Sequence, residues 1–94
     1  MKVAYIIFDQ ITWLDMIGVY DAVSRLKIYN YLPDLSWEIC AMSEFSSDAM
    51  GLTMSAQKIN SSLADYDVII VPGGHGTRNL QKDEKFIDWI RSAG

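Results

Sequence analysis

The stretch Val68-Ile69-Ile70-Val71-Pro72-Gly73-Gly74 constrains the fold more than any other part of the chain. Four β-branched apolar residues in a row, following Asp65-Tyr66-Asp67, fit a strand buried on both faces. A half-solvated strand would alternate apolar with polar. Pro72 closes the strand because it has no N–H to give to a ladder. Gly73 and Gly74 let the backbone reach positive φ and approach another group with no Cβ in the way. Open α/β sheets bind ligands outside the carboxyl ends of their strands, so this turn is where a functional site is expected. On spacing alone, PGG serves equally well as a simple tight turn.

Ninety-four residues make one small domain or part of a larger one. Half the residues are apolar and 21% are charged, which suits a packed core and argues against disorder. The net charge of -4, with no cluster of Lys or Arg, argues against nucleic acid as a partner. No apolar run approaches the roughly 20 residues that span a bilayer, so no membrane partner is expected. The start, Met1-Lys2-Val3-Ala4-Tyr5-Ile6-Ile7-Phe8, imitates a secretion signal, but Asp9 cuts it short and no small-residue cleavage site follows. Cys40 is the single cysteine, which excludes an internal disulfide and a multi-cysteine metal site. A cytoplasmic, reduced chain is the expectation.

Residues 3–8 form a second continuous apolar run and read as a central strand. Residues 9–12 are a short loop, with Thr12 placed to cap a helix over residues 13–27. Leu14, Ile17, Val19, Tyr20, Val23 and Leu26 cover more than one stripe of that helix, so burial on two sides is expected. Gly18 within it costs about 1 kcal/mol relative to Ala, and close packing against a neighbour would account for it. Residues 37–42 read as a strand, 43–51 as turn-rich, and 52–56 as a short strand at an edge. Residues 61–64 suit a single turn, and 75–80 a loop entering a helical turn. A firmer helix follows over residues 83–92, with Phe86, Trp89 and Ile90 on one face and Gly94 as its C-cap. Strands alternating with helices imply βαβ units and a parallel sheet. The last helix should deliver a further strand, so the expectation is the N-terminal part of a larger domain.

Asp15 stands in the first turn of the first helix. Pointed toward the carboxyl end of the sheet, it would lie near the PGG turn, and dehydration there would let it trade a proton with a nucleophile or substrate. The plainer role is to complement the helix dipole. Gly73 and Gly74 could aim N–H groups at a developing oxyanion. His75 is a base, a ligand, or a turn residue whose backbone amide matters. One histidine makes a poor case for zinc, which takes three or four protein ligands, and Gly74-His75-Gly76 does not match a dinucleotide fingerprint. Neither a metal nor a cofactor is expected. Cys40 lies mid-strand between Ile39 and Ala41, where a free thiol is buried and inert.

The segments VAYIIFD, TWLDMIGVYDAV and DVIIVPGGHGTRNL together resemble the N-terminal half of the DJ-1/PfpI (ThiJ) superfamily. Leu14-Asp15 is more similar to the isonitrile hydratase-like branch than to the protease-like branch, which has Glu at that place. The resemblance covers nearly the whole chain. It implies a flavodoxin-like α/β sandwich with a mainly parallel sheet, residues 1–94 being the N-terminal part of a single domain. It also implies a homodimer or association with the missing C-terminal half, and a small-molecule substrate. By position, Asp15 matches the carboxylic acid that hydrogen-bonds the family's reactive cysteine. Gly73 and Gly74, with His75 beside them, match the turn supplying backbone donors. The cysteine elbow itself would follow a helix like residues 83–92, so the nucleophile lies beyond this chain, and Cys40 does not match it. The implied activity is that of an intracellular protease or amidase, or an isonitrile hydratase-like enzyme. The alternative is a non-enzymatic ligand-sensing domain of an AraC-type transcription regulator.

Overall fold

The computed structural model describes residues 1–74 and 76–93, Arg78 by its backbone alone. The elements are β1 (Lys2–Ile6), α1 (Trp13–Ile28), β2 (Ser36–Ala41), β3 (Phe45–Ser47), β4 (Thr53–Ser55), β5 (Lys58–Ile59), β6 (Val68–Ile70), α2 (Thr77–Leu80) and α3 (Glu84–Arg91). Four strands form one sheet in the order β5-β2-β1-β6, each neighbouring pair parallel. β3 and β4 form a separate antiparallel hairpin. The mixed α/β architecture with a parallel sheet is the one the sequence implies.

β1 explains itself through its neighbours. Residues 3–8 are all buried, and alternate side chains feed two cores. Val3, Tyr5 and Ile7 pack with Trp13 and Met16 of α1 on one face. Ala4 and Ile6 pack with Phe86 and Trp89 of α3 on the other. A strand covered on both faces has no use for alternation. On the α1 face, Tyr20 meets Tyr5 and Trp37 edge-on, each with ring centroids 5.6 Å apart. Asp83 caps α3 by accepting the Lys85 and Phe86 N–H groups.

Several expectations need correction. β6 was expected to be buried on both faces, but it stands at the sheet edge with Val68 37% and Val71 45% exposed. Among the described residues, only β1 pairs with it. α1 packs on one side only: Leu14 is 78% and Ile28 71% exposed. A Cβ on Gly18 would meet nothing within 4 Å, so the close packing expected there is missing. Residues 43–51 hold strand β3, not turns alone. Asp48 closes the hairpin by accepting the Met50 and Leu52 N–H groups. The Gly94 cap lies outside the described residues. Among the described residues, no helix is long and apolar enough to cross a membrane.

A polar cluster ties the starts of β1, β2 and β6 together. The Tyr66 hydroxyl donates to Glu38 Oε1 at 2.8 Å, and Lys2 Nζ stands 3.3 Å from the same oxygen. Lys58 Nζ is 3.8 Å from Oε2. The Tyr66 hydrogen bond, then Lys2, holds the Glu38 carboxyl below its usual range. A carboxylate with a lowered folded-state pKa adds stability above its unfolded pKa, and that stability fades as the pH falls through the folded value. Glu38→Gln should therefore lower the urea midpoint at pH 7, and the gap from wild type should narrow below about pH 4.5. An equal gap at pH 7 and pH 3.5, measured by fluorescence, would assign the effect to packing instead.

Tyr5 offers a second test. It is fully buried, and its hydroxyl finds no partner among the described residues. A buried unsatisfied group costs about 1–3 kcal/mol. Tyr5→Phe should raise stability by about 1 kcal/mol in the same titration.

Candidate functional site

The site is built where β1 and β6 release the chain. In the order β5-β2-β1-β6, successive connections leave β1 in opposite directions, and such a switch point opens a crevice at the carboxyl ends of the strands. Residues 9–12 leave β1 and turn into α1, while residues 71–74 leave β6. The two segments cross in an antiparallel bridge between Ile11 and Gly74. The Thr12 N–H donates to the Gly73 carbonyl at 3.0 Å. Ile11 is buried, which fixes the crossing in the core.

This crossing explains both glycines. A Cβ at Gly74 would lie 2.7 Å from the Gln10 carbonyl and the Thr12 nitrogen and 2.8 Å from Ile11 Cα. Backbone occupies that space, so only glycine fits, and Gly74 also has φ 156°. Gly73 does not take the positive φ expected of it. Its constraint is a side chain: a Cβ there would meet Asp15 Oδ2 at 2.8 Å. Asp15 and Gly73 are thus neighbours across the crevice.

Asp15 sits in the first turn of α1, where a carboxylate complements the dipole. Thr12 takes the N-cap position but makes no side-chain cap; its carbonyl accepts the Asp15 N–H. Asp15 is solvent-exposed, which fits the plainer helix-dipole role and not the dehydrated setting weighed against it. Its outer side is open to water because no described element covers it. Among the described residues, neither the Gly73 nor the Gly74 N–H has a backbone acceptor. The pair presents unspent donors beside a carboxylate, an arrangement able to steady negative charge while a proton moves. His75 lies outside the described residues.

Cys40 is remote from this crevice. It belongs to the core on the α3 face, so the sheet separates it from α1. Burial pushes its thiol pKa up, and the Sγ–H points to the Tyr66 hydroxyl at 3.5 Å. It has the setting of an inert core thiol, as expected. Sequence reasoning missed Gln10, whose φ of 63° turns the chain out of β1. Glycine would have signalled that turn; glutamine gives no such sign.

The fold defines a doubly wound α/β protein with a candidate site in the crevice at the ends of β1 and β6. No protein-family profile matches the chain. It is 31% identical over 92 residues to the isonitrile hydratase of Pseudomonas putida, covering 98% of this chain and 38% of that protein. A DJ-1 superfamily protein of Salmonella typhimurium superposes with a TM-score of 0.72 at 23% identity, over 98% of this chain and 49% of that one. An AraC family transcriptional regulator from Pseudomonas putida superposes with a TM-score of 0.70 at 14% identity, over 97% and 51%. The chain has the fold of DJ-1 superfamily proteins and is similar in sequence to an isonitrile hydratase. It spans about half or less of the length of these proteins.

The two glycines should respond differently to substitution. Gly74→Ala drives a methyl into backbone and should cost about 2–4 kcal/mol, from overpacking and strain combined. Gly73→Ala meets only the tip of the Asp15 side chain, which can swing aside, and should cost less than about 1 kcal/mol. Urea denaturation of both variants checks the order.

Proposed function

We propose that residues 1–94 are the N-terminal part of a single catalytic domain that hydrates isonitriles or hydrolyses small amides. A cysteine outside these residues would supply the thiolate. That thiolate attacks the electrophilic carbon of a small substrate, and the charge gathered on the substrate meets the Gly73 and Gly74 amides, with that of His75 beside them. Asp15 holds and returns the proton. For an isonitrile, addition of water across the terminal carbon yields an N-substituted formamide. The observation that carries this reading is the seating of Asp15 against Gly73, so that proton carrier and amide donors share one crevice.

The topology supports a further strand beside β6. α1 covers one face of the sheet and α3 the opposite face. Crossovers between parallel strands are right-handed. β1-α1-β2 steps one way along the sheet, so a crossover through α3 steps the other way, past the free edge of β6. An apolar groove of about 350 Å³, lined by Val71, Leu80, Phe86, Ile87 and Ile90 among others, borders that edge. The same reading seats a second copy of the protein on the exposed apolar side of α1.

The second reading, a ligand-sensing module, rests on the shared fold with an AraC family regulator. A chimera joining residues 1–94 to the remaining portion of the Pseudomonas putida enzyme separates the two. The chimera should hydrate an alkyl isonitrile, and Asp15→Ala should lower kcat by about 10²-fold or more, the usual scale for a general acid–base group. Full activity in the Asp15→Ala chimera would remove Asp15 from the mechanism. A folded chimera that binds isonitrile without turnover would favour the sensing module.

A further inference from the structure

Among the described residues, the Tyr5 hydroxyl is the one buried side-chain polar atom without a hydrogen-bond partner. Such groups are rare in folded proteins, and each asks for a missing partner. Burial, and then the Tyr20 phenol beside it, push the Tyr5 pKa up, so the group keeps its proton and remains a donor. What it lacks is an acceptor.

A concavity of about 250 Å³ lies directly outside the core cluster that holds Tyr5. Met16 and Tyr20 of α1, Trp37 and Ile39 of β2, and Met54 of β4 line it. All five belong to that cluster or pack against it. Ile39 is the register partner of Tyr5 on the neighbouring strand, so the two side chains leave the sheet side by side. The half-buried Tyr20 ring meets both Tyr5 and the Trp37 wall edge-on, with centroids 5.6 Å apart in each case, and stands between hydroxyl and cavity. β2 and β6 flank β1 on opposite sides, so this cavity is separate from the Asp15 crevice.

The lining and the orphan donor together define an occupant. Thioethers and aromatic edges favour an aromatic ring over a saturated one. The volume falls below the roughly 300–1,000 Å³ typical of drug-sized ligands, so one ring is the limit. A carboxylate would give up its hydration for a single phenol donor, which costs more than it returns. The acceptor is therefore neutral.

We propose that this cavity binds a small neutral aromatic carbonyl compound of about nine heavy atoms, whose oxygen accepts the Tyr5 hydroxyl. The ring lies among Met16, Met54 and Trp37, and the guest selects a state in which Tyr20 is turned aside to let the carbonyl through. The proposal is independent of the reaction assigned to Asp15.

Titrating the isotopically labelled protein with acetophenone, followed by amide and indole chemical shifts, tests it. α-Methylstyrene is the control, equal in shape but with a methylene in place of the oxygen. Acetophenone should give saturable shifts at Tyr20, Ile39 and Met54 and at the Trp37 indole N–H. Its affinity should exceed that of α-methylstyrene about tenfold, the scale of one hydrogen bond to a donor otherwise left buried and unpaired. Tyr5→Phe keeps the ring and loses only the orphan hydroxyl, so it folds at least as stably and should bind both compounds alike. Shifts that do not saturate, equal affinities in the wild type, or a preference for acetophenone that survives Tyr5→Phe would overturn the proposal.

Discussion

β1 is short, yet its burial on both faces determines what the other elements can do. Each alternate side chain demands cover, and neither helix can cover both faces. α1 takes the side of Val3, Tyr5 and Ile7, and α3 takes the side of Ala4 and Ile6. Burial of this kind is worth about 25 cal/mol per Å² of apolar surface, so a strand enclosed on both sides is a strong organising element for so small a chain. The parallel pairing with β2 and β6 then places all three carboxyl ends on one rim of the sheet. The crevice is a consequence of that rim.

The sequence made the strands visible because β-branched runs admit few alternatives. β1, β2 and β6 all lie where their residues place them, and α3 begins at a carboxylate that caps it. What composition could not reveal was position within the sheet. Val68-Ile69-Ile70-Val71 is apolar enough for a central strand, yet it lies at an edge, with β1 its one partner among the described residues. Leu14, Ile17 and Gly18 likewise face water, which their apolar or small character did not foretell. β5 is two residues long and carries no pattern to detect.

The candidate site was legible in part. The pairing of Asp15 with the glycine turn followed from topology, since a first-turn residue after β1 and a turn after β6 must meet when those strands are neighbours. The distinct reasons for the two glycines were not legible. Gly74 is fixed by crossing backbone and Gly73 by a side chain, and both look alike in a string of letters. Cys40 shows the opposite case. Its place between Ile39 and Ala41 was enough to read it as core, and the structure adds the burial that keeps its proton on.

The pairing of Val3 with both Trp37 and Val68 also sets an order of events during synthesis. β2 leaves the ribosome first and can zip onto one edge of β1 through α1. The opposite edge waits for roughly thirty more residues, a delay of about 2–6 s at ordinary translation rates. Through that interval the most apolar strand of the protein carries an open hydrogen-bonding edge, with no α3 yet made to shield Ala4 and Ile6. The nascent chain is therefore most vulnerable to wrong partners in the seconds before Val68-Ile69-Ile70 appears.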